Sequence, residues 1–497
     1  MTTRQIRLNP CDYLYFAHHR HMRRTRAGGT VGFLVLECDG HAPPEQVRAA
    51  LAEALLAHPI ALAQARIGIV LGRPYWQLPD PEHVTQLACR AAEACFVHDD
   101  LRTAPDPTRA FHDLLEHRFL PDWDLSNGPQ VRLEQYTLPE DKTCFCLRFP
   151  HAFMDAGGGQ WFLAELGRYS PPAAAADGKT STAIGALAPR ELPDELAPDD
   201  RPLAPLQDYS LFERIKLCRA GFKLGSEFRG LRFAPLAPMP APPLASQGIV
   251  YRSWPAANVR QMRVNADRFA PAGPAPHARY LAACVIRALH ALYTERGLHA
   301  DAYPVSLPLG ILDDADNDES PAKEFAGTAR PRKDAVPAAA RPMPGNYLVA
   351  PTLYGRRELV HDRVALGRDL LNQLEHYYAQ RGHLAQWAMV YFASWLRVGM
   401  YDFVFKRGIG VEPLASGFSY YGQIPRPVRR ICGAKVTNLW GTAPLGTPPG
   451  MNPIFNKHQG KLNLGLAFNR PAISDELARR FTDLIEREIF SETESPP

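Results

Sequence analysis

His151 and Asp155 stand four residues apart in the run F-P-H-A-F-M-D-A-G-G-G, residues 149–159. An imidazole titrates near neutral pH, so a rigidly held one suits proton transfer. With 17 histidines in the chain, the spacing alone says little. Its setting says more. The apolar run 143–149 reads as a buried strand. Pro150 ends that strand, since it has no N–H to give a ladder. Three glycines follow Asp155, and from Gln160 the apolar residues fall at helical spacing: Trp161, Leu163, Ala164 and Leu166. A strand end, a tight glycine turn and a departing helix would hold the imidazole at the mouth of a cleft.

On these residues the stretch resembles the His-His-x-x-x-Asp-Gly motif of the CoA-dependent acyltransferase superfamily. That group includes chloramphenicol acetyltransferase, wax ester synthases, polyketide-associated and plant acyltransferases, and nonribosomal peptide condensation domains. Pro150 stands in place of the first His, as it is also missing in plant members, and Ala156 stands in place of the motif glycine. A second stretch, Ser419-Tyr420-Tyr421-Gly422, resembles the family's Ser-Asn-x-Gly segment, with Tyr420 where Asn is usual. The resemblance implies an α/β (α+β) fold of two chloramphenicol acetyltransferase-like αβ sandwiches with a central cleft. The expected division is a first half over residues 1–169, a linker over 170–206 and a second half over 207–497.

The resemblance also implies a reaction. An acyl group would pass from a CoA or carrier-protein thioester to a hydroxyl or amine of a small-molecule or lipid acceptor. His151 would serve as general base, without a covalent acyl-enzyme. Backbone N–H groups of Ala156, Gly157 and Gly158 would meet the oxyanion, with Ser419, Tyr420 or Tyr421 adding a donor from the second half. Asp155 would hold the loop by pairing with an arginine. The family's Val-Asn-x-Arg strand reads Val305-Ser306-Leu307-Pro308 here, so Arg148, Arg279 and Arg287 are the candidates. No G-x-S-x-G elbow supports a serine hydrolase. No cofactor is implied beyond acyl-CoA or an acyl carrier protein as co-substrate, and no metal. The alternative is a catalytically degenerate relative that binds an acyl chain or a partner protein. No carrier or adenylation domain is read along the chain, which favours a small-molecule or lipid acceptor over a peptide assembly line.

The rest of the chain reads as the scaffold for these groups. A formal charge of +4 on 497 residues gives no footprint for nucleic acid. Nine scattered cysteines without C-x-x-C pairs suggest reduced thiols in a cytoplasmic protein, and Cys144 and Cys146 read as core. From the polar start no signal peptide is expected, and no ~20-residue apolar run appears for a membrane span. Residues 8–17 form a short amphipathic element, and His18, His19 and His21 with Arg20, Arg23 and Arg24 read as a solvated basic loop. Strands are expected at 31–38 and 65–71, with helices at 42–57 and 111–119. A hairpin should join 130–136 to 143–149 through a turn at 139–142. Residues 212–233 alternate apolar and basic side chains, a pattern that suits peripheral membrane or acyl-chain contact, a grip on a phosphopantetheine or CoA phosphate, or snorkelling cations over a hydrophobic surface. In the second half, strands are expected at 249–254, 303–310, 345–353, 415–424, 435–440 and 461–468. Helices are expected at 277–297, 364–379, 384–405 and 474–489, and residues 312–343 read as a mobile excursion.

Overall fold

The computed structural model describes residues 4–24, 29–68, 72–119, 123–170, 206, 208–227, 231–234, 236, 246–270, 272–273, 275–310, 345–346, 348–401, 416–423, 428–443 and 450–491. The expected excursion at 312–343 and nearly all of the expected linker lie outside them.

The first part of the chain runs β1 (Gln5–Arg7), α1 (Pro10–Arg24), β2 (Val31–Asp39), α2 (Pro44–Ala57), β3 (Gln64–Ile67), β4 (Pro74–Gln77) and α3 (Val84–Cys95). It continues through β5 (Phe96–Asp100), α4 (Pro107–His117), β6 (Arg132–Leu138), β7 (Lys142–Pro150) and α5 (Ala156–Arg168). The second part contains α6 (Leu211–Ser226), β8 (Ser246–Trp254), α7 (Ala256–Phe269), α8 (Pro276–Glu295), β9 (Ala302–Ser306), β10 (Leu309–Gly310), β11 (Leu348–Val349), β12 (Thr352–Arg356), α9 (Arg363–Ala379) and α10 (Gly382–Ala393). It closes with β13 (Ser419–Gln423), β14 (Arg430–Ile431), β15 (Ala434–Thr442), β16 (Met451–His458), β17 (Lys461–Arg470) and α11 (Asp475–Phe490).

Two main sheets organise these elements. A six-stranded sheet has the order β14-β15-β2-β7-β6-β5, and a four-stranded sheet the order β13-β16-β17-β8. The expected hairpin is present: β6 and β7 pair antiparallel from Arg132 opposite Arg148 to Leu138 opposite Lys142. Its turn places Glu140 and Asp141 at φ of 58° and 53°. The first sheet is not built from the first half alone. β15 pairs antiparallel with β2, Lys435 opposite Asp39 through Thr442 opposite Phe33, so residues after 430 complete it.

The alternation within β2 and β7 explains how the sheet is filled on both faces. Leu34, Leu36, Phe145, Leu147 and Phe149 enter one core with α2 and α5, while Phe33, Val35, Cys144 and Cys146 enter another with Trp440 and Ala467 of the second half. The second face is thus covered partly by α4, through Phe111, Leu115 and the following Phe119, and partly by the second sheet. Tyr251 stacks on Trp440 there with centroids 4.1 Å apart. The Nδ2 of Asn456 on β16 donates to the Leu439 carbonyl of β15 at 2.7 Å. Burial pushes the Cys144 and Cys146 thiols up, which suits core side chains and not nucleophiles. Buried on both faces, β2 and β7 read in the sequence as unbroken apolar runs. At the strand's end Gly159 is required by closeness: a Cβ there would sit 2.7 Å from the Phe149 ring, so glycine lets α5 lie against β7.

A candidate active site at the end of β7

β7 ends where the sequence places the histidine. The backbone N–H of His151 donates to the Thr30 carbonyl at 2.7 Å. Thr30 is itself held. Its N–H donates to His19 Nδ1 at 3.0 Å, and His19 Nε2 faces the Trp123 carbonyl at 2.9 Å. A ring flanked by a donor at Nδ1 and an acceptor at Nε2 must be the neutral Nε2–H tautomer. His19 is therefore a buried brace, and the basic loop expected at residues 18–24 is the last part of α1. The helix forms because Asn9 Oδ1 accepts the Asp12 N–H at 2.8 Å, a cap at the start of an apolar face carrying Cys11, Tyr15, His19 and Met22.

α1 supplies the wall of the site. The Tyr15 ring stacks on the His151 ring with centroids 3.9 Å apart and planes 9° from parallel. One turn on, His18 lies close enough for His151 to depress its pKa. Burial is the larger cause, and together with His151, His21 and His19 it brings His18 down to about 4. Burial likewise lowers the pKa of His151, opposed in part by its own backbone, by the Asp155 carboxylate and by Asn346. The imidazole is thus neutral at neutral pH, the form that accepts a proton. Its Nδ1 is buried without a hydrogen bond of normal geometry.

Asn346 of the second half closes the site. It is fully buried. Its Nδ2 donates to the His151 carbonyl at 2.8 Å and to Asp12 Oδ1 at 2.8 Å, and its backbone N–H donates to the same Asp12 oxygen at 2.9 Å. Facing a carboxylate and a carbonyl, the side-chain amide must present its NH₂. The preceding residue helps: the Gly345 carbonyl accepts the Asp155 N–H at 3.2 Å. One short segment therefore ties α1, His151 and Asp155 together.

Asp155 caps α5. Its Oδ1 accepts the Gly158 N–H at 2.8 Å. This revises one expectation and narrows another. The Gly158 amide is engaged in the cap, so the N–H groups of Ala156 and Gly157 are the ones left at the helix start; Gly157 is exposed there and Ala156 half-buried. Two of the three nominated arginines are committed elsewhere. Arg148 Nε pairs with Glu134 Oε1 at 2.7 Å, fully buried, and Arg287 Nε pairs with Glu488 Oε2 at 2.5 Å. Arg279 is buried on α8.

The strand β13 brings part of the second predicted stretch here. Burial and then Asp155 push the Tyr421 phenol up; burial also raises that of Tyr15, with smaller contributions that include Asp155 and Tyr421. Tyr421, Asp155 and Tyr15 therefore share one neighbourhood across the two halves. Tyr420 points the other way, packs on the second-half core and lies beneath Lys457 Nζ at 5.7 Å from its ring centroid. Ser419 is buried on the same strand, opposite Ile454. Of the sequence-nominated residues, His151, Asp155, Ala156, Gly157 and Tyr421 are thus gathered. Asp12, Tyr15, His18 and Asn346 join them without a sequence signal beyond their residue types.

No protein-family model and no curated protein sequence matches this chain. Solved structures do. The first condensation domain of the CDA synthetase superposes with a TM-score of 0.63 at 14% identity, over 99% of this chain and 97% of that one. This chain has the condensation-domain fold. A trichothecene 15-O-acetyltransferase from Fusarium sporotrichioides has the same fold, with a TM-score of 0.65 at 13% identity over 98% and 94% of the two chains. So has the epimerization domain from the third module of tyrocidine synthetase B, at 0.54 and 13% over 98% and 97%. The two-lobed architecture expected from the His151 stretch is therefore present along nearly the whole chain. The condensation-type fold is shared by proteins named for different reactions, so its chemistry here is argued from the site.

Proposed function

We propose that the protein is an acyltransferase that uses His151 as general base to pass an acyl group from a CoA or carrier-protein thioester to a hydroxyl or amine. The observation that carries this reading is the placement of His151. It is a neutral imidazole at a strand end, stacked on Tyr15 and fixed through its backbone N–H and C=O by Thr30 and Asn346. Such a ring accepts the proton of the acceptor as its oxygen or nitrogen attacks the thioester carbonyl. The C–S bond then breaks, and the imidazolium returns the proton to the leaving thiolate. No group in this sequence of steps becomes acylated.

The negative charge that develops on the carbonyl oxygen is met by the N–H groups of Ala156 and Gly157 at the start of α5, with Tyr421 of β13 as the donor from the facing strand. Asp155 acts on the loop and not on the proton, since it is the helix cap. The acceptor is a small molecule or a lipid. The experiment is a screen of the purified chain with acyl-CoAs of graded length and with acyl carrier protein, against pooled alcohols and amines, read by mass spectrometry. Ester or amide formation from at least one thioester supports the reading. Absence of transfer from every donor, with acyl thioester still bound, favours a degenerate acyl-binding relative.

A further inference from the structure

No described helix is long and apolar enough to cross a membrane. One helical pair nevertheless carries its aromatic side chains outward. α6 begins at a capping box, with Ser210 and Glu213 bonding each other's backbone ends. It packs antiparallel on α10. Gly221 is needed for that approach, because a Cβ there would lie 3.0 Å from the Ala385 carbonyl oxygen and closer still to Met389. Arg214 lies over the Tyr391 ring at 5.5 Å, and His376 near the far end lies 3.5 Å from Glu227. The start of α6 therefore sits beside the end of α10.

At this end the apolar residues are exposed. Phe212 is 67% exposed and Leu211 56% on α6, and Trp395 is 51% exposed just past α10. Phe392 stacks edge-on to Trp395 at 5.6 Å, and Tyr391 at 5.5 Å. Phe222, two turns and more along α6, is 58% exposed. The cations Lys216, Arg219 and Lys223 are exposed along the same helix, and Lys216 Nζ lies 4.8 Å from the Phe212 ring centroid. Aromatic and leucyl side chains at a tip, interleaved with cations able to reach past them, is the chemistry of a bilayer interface with anionic headgroups.

We infer that the α6–α10 tip docks the protein on an anionic membrane surface. Leu211, Phe212 and Trp395 enter the interface, and Lys216, Arg219 and Lys223 face lipid phosphates and carboxylates. The charge pattern selects this occupant: a second copy of the chain would bring the same cations against themselves. The tip also adjoins α1. The Tyr13 hydroxyl donates to the Leu396 carbonyl at 2.5 Å, and the Tyr13 and Tyr401 rings are 5.3 Å apart. The helix that carries Tyr15 to His151 thus borders the docking surface, which would let an amphiphilic substrate pass from the interface to the cleft. The docking itself does not depend on the chemistry assigned to His151.

The test is flotation of the full chain with vesicles of phosphatidylcholine alone and with added phosphatidylserine. The protein should float with the second and not the first, and release as salt rises. Phe212→Ser with Trp395→Ser, and separately Lys216→Glu, Arg219→Glu and Lys223→Glu together, should each reduce the bound fraction about tenfold or more. All the altered side chains are exposed, so melting temperatures should hold, and a variant that does not fold is replaced by Phe212→Ser alone. Failure of the wild type to float, or flotation of the variants equal to wild type, overturns the inference. So does light scattering that shows a stable dimer abolished by the aromatic variant. Because flotation reads no turnover, loss of docking and loss of catalysis remain separate results.

Discussion

Replacing Asn346 by alanine should leave the fold standing and impair the reaction. The side chain gives one N–H to a buried carboxylate and one to the His151 carbonyl, both at 2.8 Å. A hydrogen bond to a charged group contributes about 1.5–3 kcal/mol, and a buried carbonyl left unpaired costs about 1–3 kcal/mol. The Asn346 backbone N–H still serves Asp12 in the variant. A stability loss of about 2.5–6 kcal/mol is therefore expected, concentrated at the clamp. The His151 carbonyl is then free to move, and a misplacement that raises the barrier by about 1.4–2.7 kcal/mol slows turnover roughly 10–100-fold. Because the clamp positions the base and touches no substrate, kcat should fall with little change in KM. Asn346→Asp removes the same donors and sets a second carboxylate against Asp12. It should be worse than alanine at neutral pH and recover in part on acidification, as one carboxyl of the pair takes a proton. The assay is initial-rate acyl transfer from the best thioester found, alongside thermal melting. Wild-type kcat and melting temperature in both variants would refute the positioning role, as would a loss confined to KM.

Two further outcomes follow from the same geometry. Asp155→Asn keeps an N-cap acceptor and should retain the capping contribution to stability, of which Asp155→Ala should lose about 0.5–2 kcal/mol; equal, large losses in both on thermal melting would point instead to a required negative charge. Acid should destabilise the fold through histidines held neutral. Burial lowers His18, His383 and His458 to about 4 from 6.5, so below pH 6.5 the unfolded chain binds protons that the folded chain does not. Their contribution is complete above 6.5 and declines as the pH falls towards 4. His458, whose two ring nitrogens are buried without partners, should account for part of the slope. A melting temperature flat across this window, or a slope untouched by His458→Phe, would contradict that assignment.

What was legible in the sequence was local. The apolar run before Pro150 and the helical spacing from Gln160 each have a short-range cause, and they gave β7 nearly to the residue and the body of α5; the glycines expected as a turn belong to its first turn, which starts at Ala156. The β6–β7 hairpin and α11 were equally plain. What was hidden depends on tertiary contact. Residues 18–24 look like a solvated basic loop because three histidines and three arginines crowd there; burial of His19 against Thr30 and Trp123 makes them helix instead. β16, α3 and α7 passed unread, and nothing near residue 438 announces that β15 joins the first half's sheet. Asn346 opened an expected strand, but its partners are 334 and 195 residues away in sequence. Asp155 was expected to pair with an arginine; it caps α5 through the Gly158 amide.

The most direct measurement of the central claim is acyl transfer by His151→Ala against wild type, as a function of pH. With His151 as the base, the variant should lose about 10²–10⁴-fold in turnover while melting close to wild type. The wild-type rate should fall on acidification with a midpoint below the ordinary histidine value of 6.5, because burial favours the neutral ring. That limb should vanish from the residual rate of the variant. Full acyl transfer by His151→Ala, or the same acid limb in both proteins, would place the base elsewhere.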